Sequence, residues 1–163
     1  MRYIRGHGDG GCFFCEYHRK RQDRKYLIVR RGRTCFSILN RFPYNTGHLM
    51  IAPVAHKGTL HELDPDEMLE LVDESRRMQR GLDRFLRPHG YNVGMNLGRV
   101  AGAGVLGHVH LHVVPRWDGD TNFMPVVGST KVMPMSLGEL YRGLRKALSQ
   151  ERPKGERTRA DRK

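Results

Sequence analysis

Gly107-His108-Val109-His110-Leu111-His112-Val113-Val114-Pro115-Arg116 alternates three histidines with three apolar residues. Successive side chains of an extended strand point to opposite faces, so residues two apart share one face. The spacing predicts a strand over this stretch, with His108, His110 and His112 in a row on one side. Val109, Leu111 and Val113 then face a core, and β-branched valines suit an extended backbone. The row crowds three groups that titrate near neutral pH, which makes sense with an anion or a metal over it. The plainer reading is the solvated face of a half-buried strand. It suits a single histidine better than three at strict period two.

Upstream, Gly98, Gly102, Gly104 and Gly107 make a glycine-rich loop that leads straight into the histidines. Such a loop lets backbone amides approach an anion closely. Its spacing matches neither standard phosphate fingerprint, so its interest lies in its position. Tyr91 to Asn96 before it reads as a strand, and Trp117 to Met124 after the histidines as a loop. Nearer the N-terminus, Tyr26 to Arg30 and Thr34 to Leu39 read as a hairpin turning at Arg31-Gly32-Arg33. His48 to Pro53 reads as a third strand, after a loop broken by Pro43 and Gly47.

Two helices are expected. Asp64-Pro65-Asp66-Glu67 combines a capping residue, a proline suited to the first helical position and a capping-box glutamate. Met68, Leu71, Val72, Met78, Leu82, Phe85 and Leu86 then keep helical spacing to about Arg87. Leu137, Leu140, Tyr141, Leu144 and Leu148 mark a second helix from Ser136 to Leu148. The basic stretch from His18 to Lys25 reads as a solvated loop.

The chain has 163 residues and a net charge of +12. That length suits one domain over residues 1–150, with 1–11 as an arm and 151–163 as a basic, disordered tail. The charge favours anionic ligands and says nothing of fold. No apolar run approaches membrane length, and the N-terminus has no hydrophobic signal core, so a cytoplasmic location is expected. In a reducing compartment the Cys12-Phe13-Phe14-Cys15 spacing argues for metal or redox chemistry over a structural disulfide. Cys35, in an apolar run, reads as a small core residue.

A neutral imidazole can attack phosphorus and split one hard displacement into two easier ones. His110, flanked by a histidine on each side, is the natural nucleophile. His112 can donate to a phosphate oxygen or leaving group, and His108 can orient its neighbour or ligate a metal. Cys12 and Cys15 make half of a tetrahedral zinc site that two histidines would complete. His56 and His108 are the leading partners, with His18, His48 and His61 as competitors. A redox pair is the rival, but no thioredoxin-like βαβ unit is visible.

His108-Val109-His110-Leu111-His112-Val113-Val114 matches the His-φ-His-φ-His-φ-φ signature of the histidine triad (HIT) superfamily. The resemblance runs from about Tyr3 to about Leu148. The Cys-Phe-Phe-Cys opening, Leu39 to Leu49, Pro115-Arg116-Trp117 and Gly119 to Phe123 resemble one branch of it. That branch holds the fragile histidine triad hydrolases and the bacterial diadenosine tetraphosphate phosphorylases. The resemblance implies an α+β fold with a five-stranded antiparallel sheet and two main helices, two subunits forming a ten-stranded sheet. It implies a dinucleoside polyphosphate substrate and transfer through a nucleotidyl-histidine. His110 falls on the nucleophile and His112 near the scissile phosphate, while Asn40 takes the ribose position and Asn96 a polar position near the phosphates. Ile38, Gly104 and Val105 complete the implied nucleotide site, and Cys12, Cys15, His56 and His108 the implied structural zinc site.

One position departs. The hydrolase branch often carries Gln or Ser four residues before the first triad histidine, and here that position is Gly104. Either water or inorganic phosphate could then resolve the intermediate. Two other readings stand beside this one. A phosphoramidate or aminoacyl-adenylate hydrolase of the small HIT type would more typically carry Asp at the position of Asn40. A zinc-stabilised nucleic-acid-binding module would use the basic charge and tail, though aromatic residues are sparse and scattered.

Overall fold

The computed structural model describes residues 11–121, 127–130 and 132–150. The proposed arm up to residue 10, the tail from 151 and Asn122 to Met124 lie outside the described residues. Among the described residues nine α-helices and β-strands follow in chain order: α1 (Phe13–Lys20), α2 (Asp23–Tyr26), β1 (Ile28–Arg31), β2 (Cys35–Leu39), β3 (Leu49–Pro53), α3 (Pro65–Leu86), β4 (Gly90–Gly94), β5 (Leu111–Arg116) and α4 (Leu137–Ser149). The strands form one sheet in the order β1-β2-β3-β5-β4, antiparallel throughout.

β2 and β3 are buried along their whole length, because both faces of the sheet are covered. Their side chains still alternate. Cys35, Leu39, Leu49 and Ile51 join Val113 against Leu71, Met78 and Leu82 of α3 and Leu140 and Leu144 of α4. Phe36, Ile38, Met50 and Ala52 pack on the other face with Phe14 of α1 and Tyr26. Val109 and Leu111 belong to the first cluster, so the triad histidines point to the α1 face, as their period of two requires. Met50 and Gly94 both pair with His112, which sets that residue in the middle of the sheet.

Several local expectations change. The basic stretch is helical: α1 and α2 occupy most of it. Phe13, Phe14 and Tyr17 turn inward, and His18, Arg19 and Lys20 fall in the last turn, where the helix dipole favours cations. α2 ends at Tyr26 and Leu27 turns left-handed, so β1 begins only at Ile28. β4 stops at Gly94, which leaves Asn96 in a loop. β5 starts at Leu111; His108 to His110 precede it, held by the Val109 amide donating to the Lys57 carbonyl at 2.7 Å. On α3 the predicted capping box forms, but Met68 and Val72 are exposed, so its buried stripe is narrower than the spacing suggests.

Gly47 ends the loop before β3 with φ +79°, and a Cβ there would lie 2.9 Å from Leu86 Cδ1 and 3.2 Å from Leu82 Cδ2. Backbone strain and crowding act together at this position. Gly47→Ala is expected to lower stability by about 2 kcal/mol in urea unfolding. A midpoint equal to that of the native chain would show that the loop relaxes freely.

Candidate functional site

His108, His110 and His112 are all buried on the α1 face. The His110 and His112 rings are 4.8 Å apart, and the Phe14 ring lies 5.1 Å from His108 and 5.0 Å from His110. Burial lowers the pKa of all three below the ordinary histidine value, that of His112 to about 4, with a further contribution from His110. All three are therefore neutral at neutral pH.

Hydrogen bonds fix where the protons sit. His110 Nδ1 is 2.9 Å from the His108 carbonyl oxygen, which only accepts. The proton is on Nδ1, and the Nε2 lone pair is left for chemistry. His108 Nε2 donates to the Pro53 carbonyl at 2.8 Å, which frees its Nδ1. His112 Nδ1 is 2.9 Å from Nε2 of His48, a buried fourth histidine.

His110 and His112 line a pocket of about 320 Å³ with Phe13, Asn40, Phe42, Tyr44, Met50, Gly102, Gly104 and Val105. Asn40, Gly104 and Val105 thus meet the histidines, as expected. A Cβ at Gly104 would meet no atom within 4 Å apart from its chain neighbours. Ile38 lies in the core behind the pocket, and Asn96 stands in the glycine-rich loop, 3.4 Å from the Gly102 carbonyl. Phe13, Phe42, Tyr44 and Met50 are additions that the spacing of polar residues did not reveal. Phe42 and Tyr44 remain largely exposed at the pocket, a signal available only once the fold is known.

Cys12, Cys15, His56 and His108 form a second cluster, their ligand atoms all within 4.8 Å of one another. Cys12 Sγ is 3.2 Å from His108 Nδ1, and Cys15 Sγ is 3.4 Å from His56 Nδ1 and 3.5 Å from His108 Nδ1. Tetrahedral zinc, with bonds of about 2.3 Å to sulfur and about 2.0 Å to nitrogen, has S···N edges of about 3.5 Å. The residues fit. The Pro53 carbonyl orients the His108 ring, as an outer partner would for a histidine that held a metal. Burial and the neighbouring Cys12 push the Cys15 thiol up to about 11, so ligation there releases a proton. The competitors are elsewhere: His48 bonds His112, His18 packs on Phe36, and His61 lies outside the cluster. Cys35 is a buried core residue.

The chain is similar to several known proteins. The AP-4-A phosphorylase of Mycobacterium tuberculosis is 42% identical over 129 residues, which cover 79% of this chain and 64% of that protein. The chain therefore spans somewhat less than two thirds of that relative's length. A zinc-bound histidine triad family protein from Mycobacterium smegmatis matches with a TM-score of 0.71 at 26% identity, over 86% of this chain and 94% of that one. A hypothetical histidine triad nucleotide-binding protein from Sulfolobus tokodaii matches with a TM-score of 0.69 at 25% identity, over 85% of this chain and 92% of that one. The HIT domain profile covers residues 21–119, from the end of α1 to just beyond the third histidine's strand, and with the triad in place on its sheet the chain belongs to the HIT family.

Proposed function

We propose that the chain cleaves dinucleoside polyphosphates such as diadenosine tetraphosphate, with His110 as nucleophile. The observation that carries this reading is the His110 tautomer: Nδ1–H is tied to a backbone carbonyl, and the Nε2 lone pair belongs to a ring that lines the pocket. The likeness to a protein named as an AP-4-A phosphorylase supports the substrate class.

In the first step the Nε2 lone pair attacks a phosphorus, an N–P bond forms, and the P–O bond to the remaining phosphates breaks. The leaving oxygen keeps the electron pair. His112 donates a hydrogen bond to an oxygen of the reacting phosphate, and Asn40 holds the ribose. An acceptor oxygen then attacks the same phosphorus, and the electron pair of the N–P bond returns to Nε2. With phosphate as acceptor the product is a nucleoside diphosphate; with water it is a monophosphate. The open space at Gly104 favours phosphate.

Zinc would be held by Cys12, Cys15, His56 and His108, closing four ligand positions and supplying structure. The expected homodimer would join an outer strand of each subunit's sheet into a ten-stranded sheet, the outer strands here being β1 and β4. Among the described residues no helix is long and apolar enough to cross a membrane.

The test is to incubate the protein with diadenosine tetraphosphate, with and without inorganic phosphate, and separate the products. ADP plus ATP only with phosphate is expected. AMP plus ATP in both tubes would make water the acceptor, and no cleavage in either would sink the reading.

A further inference from the structure

We propose that the open edge of β1 carries a second anion site, a cleft that takes a chain of two or three phosphates. The site stands apart from the histidine pocket and does not rest on the cleavage reading above. A cavity of about 390 Å³ opens where β1, α3 and α4 meet, with Arg30 and Arg31 of β1, Arg77 of α3 and Arg145 of α4 on its walls. Among the described residues that line it, Asp23 alone is acidic. β1 is an outer strand, three places from the histidine strand β5, and no residue of this cavity lines the histidine pocket. At about 4.8 Å per strand the two sites are about 14 Å apart across the sheet.

The plainer reading is that these arginines only neutralise carboxylates. It accounts for Arg31, which holds Asp23 at 2.7 and 3.0 Å and gives Nη1 to the His18 carbonyl. It accounts for the others only in part. Buried Glu74 accepts a bond on each oxygen, from Arg30 Nη1 and from Ser37 Oγ at 3.0 Å. Arg77 Nε stands 3.6 Å from the same carboxylate, past hydrogen-bond reach. Half-exposed Asp73 is 3.8 Å from Arg77 and is shared with Arg76. Arg145 meets no carboxylate among the described residues; its Nη1 donates to the Val29 carbonyl at 3.2 Å. One buried carboxylate therefore serves Arg30 and Arg77, and none serves Arg145.

One feature opposes an anion here. α4 ends at Ser149 beside the cavity, and a helix C-terminus carries about half a negative charge. Three guanidinium groups outweigh it. Each presents a flat fork that matches two oxygens of a phosphate. A water takes about 30 Å³ and a lone phosphate the room of about two or three waters, so one phosphate would leave most of the cavity unfilled. A chain of two or three phosphates fills more of it and spreads its oxygens over arginines from three different elements. Val29 and Leu148 add an apolar patch to the wall, against which a nucleoside attached to that chain would rest.

The experiment is an amide NMR titration of ¹⁵N-labelled protein with inorganic tripolyphosphate and, separately, with ATP, on the native chain, Arg145→Gln, Arg145→Glu and Arg142→Glu. Tripolyphosphate should shift the amides of Val29 to Arg31, Arg77 and Ser149 in one saturable step. Arg145→Gln should weaken this binding about tenfold and Arg145→Glu about 100-fold. Arg145 is exposed, so both variants should keep the native spectrum elsewhere. Arg142→Glu makes the same change of net charge three residues earlier on α4, off the cavity, and should stay within about threefold of the native affinity. Equal affinities for ATP and tripolyphosphate would assign recognition to the phosphates alone; tighter ATP with larger shifts at Val29 and Leu148 would add the nucleoside to the ligand. Shifts at His108 to His112 are read separately: their absence with ATP would count against the cleavage reading and leave this site standing. Tripolyphosphate shifts confined to the histidine pocket would overturn the proposal. So would Arg145→Glu binding as well as the native chain, or sulfate matching tripolyphosphate in affinity.

Discussion

His110→Ala is expected to lower turnover of diadenosine tetraphosphate by at least about 10⁴-fold while AMP binding remains measurable by calorimetry. The imidazole lines the pocket wall with its Nδ1 proton held by a backbone carbonyl and its Nε2 lone pair unused. Removing it takes away the covalent step itself. Phe13, Asn40, Phe42, Tyr44, Met50 and Val105 remain to hold the nucleotide. A labelled nucleotide should be trapped on denatured native protein as an acid-labile phosphoramidate and be absent from the variant. Turnover within tenfold of the native rate would remove His110 from the mechanism.

Stripping zinc with a chelator, or replacing Cys12→Ser, is expected to lower Tm by about 10 °C, equivalent to about 3–5 kcal/mol for a chain of this size. Cys12 is the N-cap of α1, and its side chain caps no helical amide. Metal bonds from Cys12 and Cys15 would instead tie that first turn to His56 and His108 on the sheet side. Phe14 still anchors the helix in the core, so loosening of the first turn is expected, short of unfolding. Metal content by atomic emission and Tm should fall together, while the single-turnover rate of the folded remainder holds. A large fall in that rate with Tm unchanged would make the metal catalytic.

Much of this was legible because period two is a strong signal. The alternation through His108 to Val113 placed the histidines opposite the core, and the capping box at Asp64 placed α3. The resemblance to the HIT family supplied the strand count and pointed to Asn40, Gly104 and His56, which the fold brings beside His110 or into the cysteine–histidine cluster. What stayed hidden depended on contacts distant in sequence. The charges of His18 to Lys25 obscured two short helices whose apolar residues matter only against Phe36 and Tyr26. His48 read as a spare metal ligand, because nothing local shows that its ring meets His112, 64 positions later. Met68 and Val72 fit the helical period, yet both face away from the core.

Cys12, Phe13, Phe14 and Cys15 are consecutive, yet they serve two places: the cysteines reach the metal cluster, Phe13 walls the pocket, and Phe14 lies against both His108 and His110. One helical turn cannot shift for one of these places without shifting for the other. An ion bound by the cysteines and a nucleotide bound in the pocket would therefore draw on the same free energy. Whatever factor the ion adds to nucleotide affinity, the nucleotide must add to the affinity for the ion.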